Sequence, residues 1–162
     1  MKIGILSDTH LTEVTFRFEN VLHKHLHGVD MLLHAGDIVG YPVYSYLQQF
    51  MIHAVAGNMD SPVLREILPA KDVITLENKH IGLIHGWGVG SPMEKRLAVE
   101  FSDVDAIVFG HTHRPVNQVL DGILYFNPGS TNGNPPEFPP SIGILDVNKN
   151  SGVRGEIIYL AD

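Results

Sequence analysis

Short apolar runs that each stop at a polar turn recur along this chain, and they limit the folds open to it more than any other feature. Lys2-Ile3-Gly4-Ile5-Leu6 stops at Ser7-Asp8, and Asp30 to His34 runs into Ala35-Gly36-Asp37. Ile52 to Ala56 stops at Gly57-Asn58, residues 80–85 end in His85, and Asp105 to Phe109 precedes Gly110-His111-Thr112-His113. Runs of this length, bounded by glycine and Asx residues, read as buried strands. Helical patterns lie between them. From Thr12 to about His27, Val14, Phe18, Val21, Leu22 and Leu26 share one helical face that ends near Gly28. Residues 43–50 also read as helix. Ser61-Pro62 and Ser91-Pro92 each offer a hydroxyl N-cap followed by proline, and Glu94 completes a capping box with Ser91. Residues 73–76, joined to 80–85 at Glu77-Asn78-Lys79, and 116–119, 123–126, 142–147 and 154–160 read as further strands.

The order is therefore βαβαβα, then a β-rich half with one more helix. This is an α/β chain whose many short apolar strands are best buried by two packed sheets with helices outside. Asn127 to Pro140, rich in proline, glycine and asparagine, reads as a long surface loop. No repeat or linker divides residues 1–162, so a single domain is expected, and 162 residues suffice for a substantial core. No apolar run is long enough to span a bilayer, and strand pattern begins at Lys2 with no signal peptide ahead of it; a cytoplasmic protein is the expectation. The absence of cysteine removes disulfides, thiolate metal sites and cysteine nucleophiles together. The formal charge of −7 argues against a nucleic-acid surface, which needs clustered Lys and Arg. It leaves room for a small phosphate-ester substrate, provided something local reverses the field.

The placement of the polar residues supplies that reversal. Asp8, His10, Asp37, Asn58, His85, His111 and His113 all lie at or just beyond the C-terminal ends of expected strands. In layered α/β folds such ends gather on one rim, where sites are built. Carboxylate, imidazole and amide donors without sulfur suit divalent ions such as manganese, nickel, iron, zinc or magnesium. Seven side chains are too many for one tetrahedral ion and suitable for two ions sharing a carboxylate. Two such ions outweigh two aspartates and a bridging hydroxide, leaving net positive charge for a phosphate. The remaining histidines read differently. His23, His25 and His27 sit solvated at a helix end, His34 and His53 are satisfied residues inside apolar strands, and His80 is exposed beside the 77–79 turn.

Ser7-Asp8-Thr9-His10, Gly36-Asp37, Gly57-Asn58-Met59-Asp60, His85-Gly86 and Gly110-His111-Thr112-His113 resemble, in order, the blocks of calcineurin-like metallophosphoesterases. With Asn127-Pro128-Gly129-Ser130, the chain is most similar to their small single-domain phosphodiesterase branch. The resemblance covers most of residues 1–130. It implies a four-layer αββα sandwich of two packed mixed sheets with outer helices, and a dinuclear site on one rim. It assigns Asp8, His10 and His113 to one metal, Asn58, His85 and His111 to the other, and Asp37 to both, with Asp37, Asn58 and His85 at the catalytic centre. It implies in-line attack on phosphorus by a bridging hydroxide, with manganese the foremost cofactor. Many relatives carry a histidine after the Gly-Asn pair, placed to serve the leaving group. Here that position is Met59, which cannot transfer a proton, and His53 is only a distant substitute. Met59 thus points to the diesterase branch and away from protein phosphatases. The competing expectation is a non-catalytic protein-interaction scaffold, like the retromer subunit of the same fold; a nuclease fits the charge balance less well. A homo-oligomer is compatible with either reading.

Overall fold

In the computed structural model, which describes residues 1–88, 92–133 and 137–160, β1 (Lys2–Leu6), β2 (Met31–His34) and β3 (Ile52–Ala54) run parallel in one five-stranded sheet. β9 (Ser141–Asn148) adds antiparallel to the free side of β1 and β10 (Gly152–Tyr159) to β9, giving the order β10-β9-β1-β2-β3. The second sheet contains β4 (Lys71–Leu76), β5 (Lys79–Ile84), β6 (Ala106–Val108), β7 (Val116–Leu120) and β8 (Ile123–Asn127), ordered β4-β5-β6-β8-β7. Here β5, β6 and β8 are parallel, and β4 and β7 flank them antiparallel.

Side-chain alternation sets the layers. Ile3, Ile5, Met31 and Leu33 meet Ile81, Leu83, Val108 and Phe126 between the sheets. Leu6 and Leu32, on the opposite face, pack with Phe18, Val43, Leu47 and Leu64 of α1 (Phe16–Val21), α2 (Tyr41–Leu47) and α3 (Pro62–Ile67). Ile107, Phe109 and Tyr125 pack outward on Met93 and Leu97 of α4 (Met93–Leu97). The result is the expected αββα sandwich. Each buried aliphatic side chain contributes about 1.5–3 kcal/mol. A one-residue register slip would turn both faces of β1 the wrong way, so the apolar pattern locks the pairing. No helix among the described residues is long and apolar enough to cross a membrane.

Several local expectations change. The first helix starts at Phe16 rather than Thr12, with the Thr15 hydroxyl accepting from Phe18 N–H. The preceding backbone is committed elsewhere, since Leu11 N–H donates to Ile38 O and Gly40 N–H to Leu11 O. After Val21 the helix widens into a π-helical turn, Leu22–Leu26, which keeps Leu22 and Leu26 buried. Ser61 occupies the N-cap of α3 without capping it: its N–H donates to Val39 O, and its hydroxyl is buried without a partner. Ser91 lies outside the described residues, so the capping box does too; the Glu94 carboxylate accepts from the Gln118 amide. The supposed surface loop fails at its start. Asn127 ends β8, and residues 127–131 are buried, because their polar groups are used by the strand-end turns described next.

Candidate metal centre

Because β1, β2 and β3 are parallel, their C-terminal ends share one rim and bring Asp8, Asp37 and Asn58 side by side. The parallel pair β5 and β6 delivers His85, His111 and His113 to the same rim. The backbone there is unusual. Asp8 (φ 49°), His10 (49°), Asp37 (57°), His111 (65°) and His113 (56°) all take left-handed conformations. Asp and His tolerate that region better than most residues, yet it costs roughly 1–3 kcal/mol each and persists only where the surroundings enforce it. Here hydrogen bonds enforce it: Asp8 N–H to Gly36 O (3.0 Å), His10 N–H to Asp37 O (3.0 Å) and Gly110 N–H to His85 O (3.0 Å).

The donor atoms form an unbroken run of short contacts. Asp8 Oδ1 lies 3.2 Å from His113 Nε2 and 3.7 Å from His10 Nε2, and the two imidazole nitrogens are 3.1 Å apart. Asp37 Oδ2 stands 3.8 Å from His10 Nε2 on one side and 3.4 Å from His85 Nε2 on the other. Asn58 Oδ1 is 3.2 Å from His85 Nε2 and 3.1 Å from His111 Nδ1. All seven residues singled out from the sequence are thus brought together, with Asp37 facing both His10 and His85, and Asp8 close enough to join either His10 and His113 or Asp37 and His85 around one ion. Asp8 Oδ1 is buried without a hydrogen-bond partner, a cost that a cation would remove. His85 donates from Nδ1 to Ala35 O (2.7 Å), which turns the Nε2 lone pair to the rim. The site thus fits divalent ions on donor chemistry as well as on geometry.

Electrostatics keeps the carboxylates ionised. Burial pushes Asp8 up, but contacts with His10 and His113, the charge of His85 and the Ser7 hydroxyl hold it well below the usual carboxylate range. Asp37 is held down against its own burial by His85 and the Met59 N–H. Burial lowers His85, yet Asp37 and Asp8 raise it overall, whereas burial and then the charge of His85 push His111 down.

Residues beneath the rim, to which the sequence reading gives no role of their own, hold these turns. The buried Asp60 carboxylate accepts from Asp37 N–H (3.2 Å), Gly57 N–H (2.7 Å) and Val39 N–H (2.7 Å). Ser130 Oγ donates to Asp8 O (2.8 Å), Asn132 Nδ2 to Thr9 O (2.6 Å) and Asn127 Nδ2 to Gly110 O (2.9 Å). Gly110 is required by space, since a Cβ there would collide with Ser7 Oγ and press on Asp8 Oδ2. The Gly57 contact is local, as in any turn aspartate; what sets Asp60 apart is that its carboxylate also takes Asp37 and Val39 N–H from a turn more than 20 positions away in sequence.

His34 is a satisfied core residue, as expected. Its Nδ1 accepts from Gly36 N–H (3.2 Å), so Nε2 carries the proton and faces Thr9 Oγ1 (2.8 Å). Burial pushes its pKa down to about 4. The unfolded chain protonates this group near 6.5 and the native state does not, so stability is full above 6.5 and falls as pH drops toward 4. The loss is on the order of 3 kcal/mol. Urea melts of metal-free protein at pH 7 and pH 4.5 should show this slope, and His34→Gln should be flatter though weaker at pH 7. Equal slopes would assign the acid sensitivity to other groups. His53 differs from expectation: it is half exposed on the edge strand β3, with Nδ1 3.0 Å from Asp72 Oδ2 of β4, where the edge leaves it open to solvent. His23, His27 and His80 are exposed and His25 partly so.

Comparison with known proteins gives a consistent picture. The family model of the calcineurin-like phosphoesterase superfamily domain matches residues 1–150. A probable metallophosphoesterase of Methanocaldococcus jannaschii is 34% identical over 168 residues, spanning 100% of this chain and 83% of the relative. A phosphodiesterase from the same organism is 30% identical over 166 residues, 92% of this chain and 95% of the relative. Among solved structures, Vps29 of Entamoeba histolytica complexed with zinc superposes with a TM-score of 0.75 at 25% identity, covering 98% of this chain and 99% of that one.

Proposed function

The chain belongs to the calcineurin-like phosphoesterase superfamily, and from that premise we propose that it is a dinuclear phosphodiesterase acting on a small phosphate ester. The observation that carries this reading is Asp37 Oδ2, placed between His10 Nε2 and His85 Nε2 with every other candidate donor strung out on either side. Asp8, His10 and His113 would hold one divalent ion, Asn58, His85 and His111 the other, and Asp37 both. When bound, such ions activate water and neutralise the phosphoryl oxygens. Manganese is the first ion to test, with nickel, iron, zinc and magnesium after it.

The chain's own residues orient these groups. Asp60 and Ser130 fix the turns that carry Asp37 and Asp8, and Ala35 O fixes the tautomer of His85. Protonation of the leaving group is a different matter. Met59 occupies the place next to Asn58 and is 58% exposed, and its thioether has no proton to give. His53 is engaged by Asp72. General acid help is worth roughly 10²–10⁴-fold, so the rate should depend steeply on the leaving group.

The test compares kcat/KM over diesters with leaving groups of differing pKa, in protein loaded with each metal. Bis-nitrophenyl phosphate should be cleaved far faster than alkyl esters and faster than a phosphoserine peptide. A preference for the phosphopeptide would contradict the diesterase assignment. Well-folded, metal-loaded protein inert on every ester would instead favour the interaction scaffold.

A further inference from the structure

Beside the rim, on the side of Asn58 and His85, lies an open cleft of about 350 Å³, at the small end of ligand pockets. Its walls are apolar and short at Ala56, Ala70 and Ile84, and Trp87, 44% exposed, lines it too. Two alanines leave the width, and Trp87 adds an aromatic side chain to the lining. Trp87 comes two residues after His85, so the turn that aims one candidate ligand also places the indole. Lys71 and Glu100 close the end away from the rim, since both also line the next hollow along the surface. Their ammonium and carboxylate are 2.9 Å apart and both partly exposed, leaving donors and an acceptor at the cleft edge with little net charge.

Such a cleft suits a flat group with polar edges better than an alkyl chain or a second phosphate. Aromatic faces stack bases with little regard to sequence, and an indole left exposed beside a polar site has apolar surface to cover. We propose that Trp87 and this cleft form a specificity subsite for a nucleobase-bearing substituent of the phosphodiester, held on the side of Asn58, His85 and His111. The proposal rests on the diesterase reading and names its substrate class. Trp87 is here a substrate-contacting residue that determines which ester is bound, and the chemical step does not depend on it.

Trp87 is the only tryptophan in the sequence, so intrinsic fluorescence reports on the subsite directly. Thymidine 5′-monophosphate added to metal-loaded protein should quench it saturably, and 2-deoxyribose 5-phosphate should not. In kinetics, the 4-nitrophenyl leaving group is kept and the other substituent varied. Trp87→Ala should raise KM for thymidine 5′-(4-nitrophenyl) phosphate about five- to a hundredfold, with kcat nearly unchanged. KM for methyl 4-nitrophenyl phosphate should stay put, and Trp87→Phe should restore much of the loss. Equal effects on both esters, or thymidylate without quenching, would overturn the subsite while leaving the diesterase intact. Saturable, base-dependent quenching in a protein that cleaves no diester would sustain the subsite and sink the reaction. Unchanged metal content and melting temperature in Trp87→Ala separate either result from misfolding.

Discussion

Asp37→Asn should empty both halves of the site while leaving the fold standing. The substitution keeps shape: Asp37 Oδ1 accepts from Met59 N–H at 2.7 Å, and an asparagine oxygen can still do so. The change falls on the other atom. Oδ2, which faces His10 at 3.8 Å and His85 at 3.4 Å, becomes an amide nitrogen with two protons and no lone pair for a cation. Loss of a supporting partner typically costs 10–100-fold in metal affinity or activity. A ligand shared by both positions should cost more than ~100-fold in diester hydrolysis. Metal content by elemental analysis should fall from two ions per chain toward none. The stabilisation that wild type gains from metal, about 2.7 kcal/mol at a free concentration one hundred times Kd, should vanish in thermal melts. Retention of one full ion in Asp37→Asn would show that the residue serves a single position, and the shared-ligand model would have to be abandoned.

His111→Ala and His113→Ala should deplete different ions, although the residues are two apart on one turn. His113 directs Nε2 to Asp8 Oδ1 at 3.2 Å, whereas His111 directs Nδ1 to Asn58 Oδ1 at 3.1 Å. Between them Thr112 Oγ1 accepts from Asn127 Nδ2 at 3.1 Å, which pins the turn and keeps the two rings pointing apart. Each alanine removes one donor from its own group and leaves Asp37 and the other group untouched. His111→Ala should therefore lose the ion shared with Asn58 and His85, and His113→Ala the one shared with Asp8 and His10. Both should lose more than about tenfold in activity. Neither should weaken the metal-free fold much, since both side chains sit on the rim outside the three apolar clusters. Crystals of each variant soaked in manganese would locate the missing density. If the same position emptied in both, the division of ligands would be wrong, whatever the reaction.

Much of the architecture is legible along the chain because its causes are local. Alternating apolar residues give each strand a buried face, and the Glu77-Asn78 and Asp121-Gly122 pairs, all at positive φ, make tight turns between antiparallel strands. The strand-end polar residues are legible for the same reason, since a glycine or Asx after an apolar run marks where a strand stops. Misreadings fall where a distant partner takes a local group. Thr12 to Val14 have helical periodicity, but Leu11 is tied to Ile38 and Gly40. Asn127 to Thr131 have loop composition, yet Ser130 reaches Asp8 O across 122 positions of sequence.

The sequence by itself therefore determined the elements, their faces, the layer count and the donors available at the strand ends, because each depends on the order of neighbouring residues. Only the tertiary structure decided the rest. It placed β9 against β1 and β8 against β6, turned the Asp60 carboxylate onto three backbone donors, and set Asp37 Oδ2 between two imidazoles. It also opened the cleft that Trp87 lines. These features depend on distances between segments far apart in the chain, and such distances exist only once burial of both sheets has brought the C-terminal ends of the parallel strands β1, β2, β3, β5 and β6 to one rim.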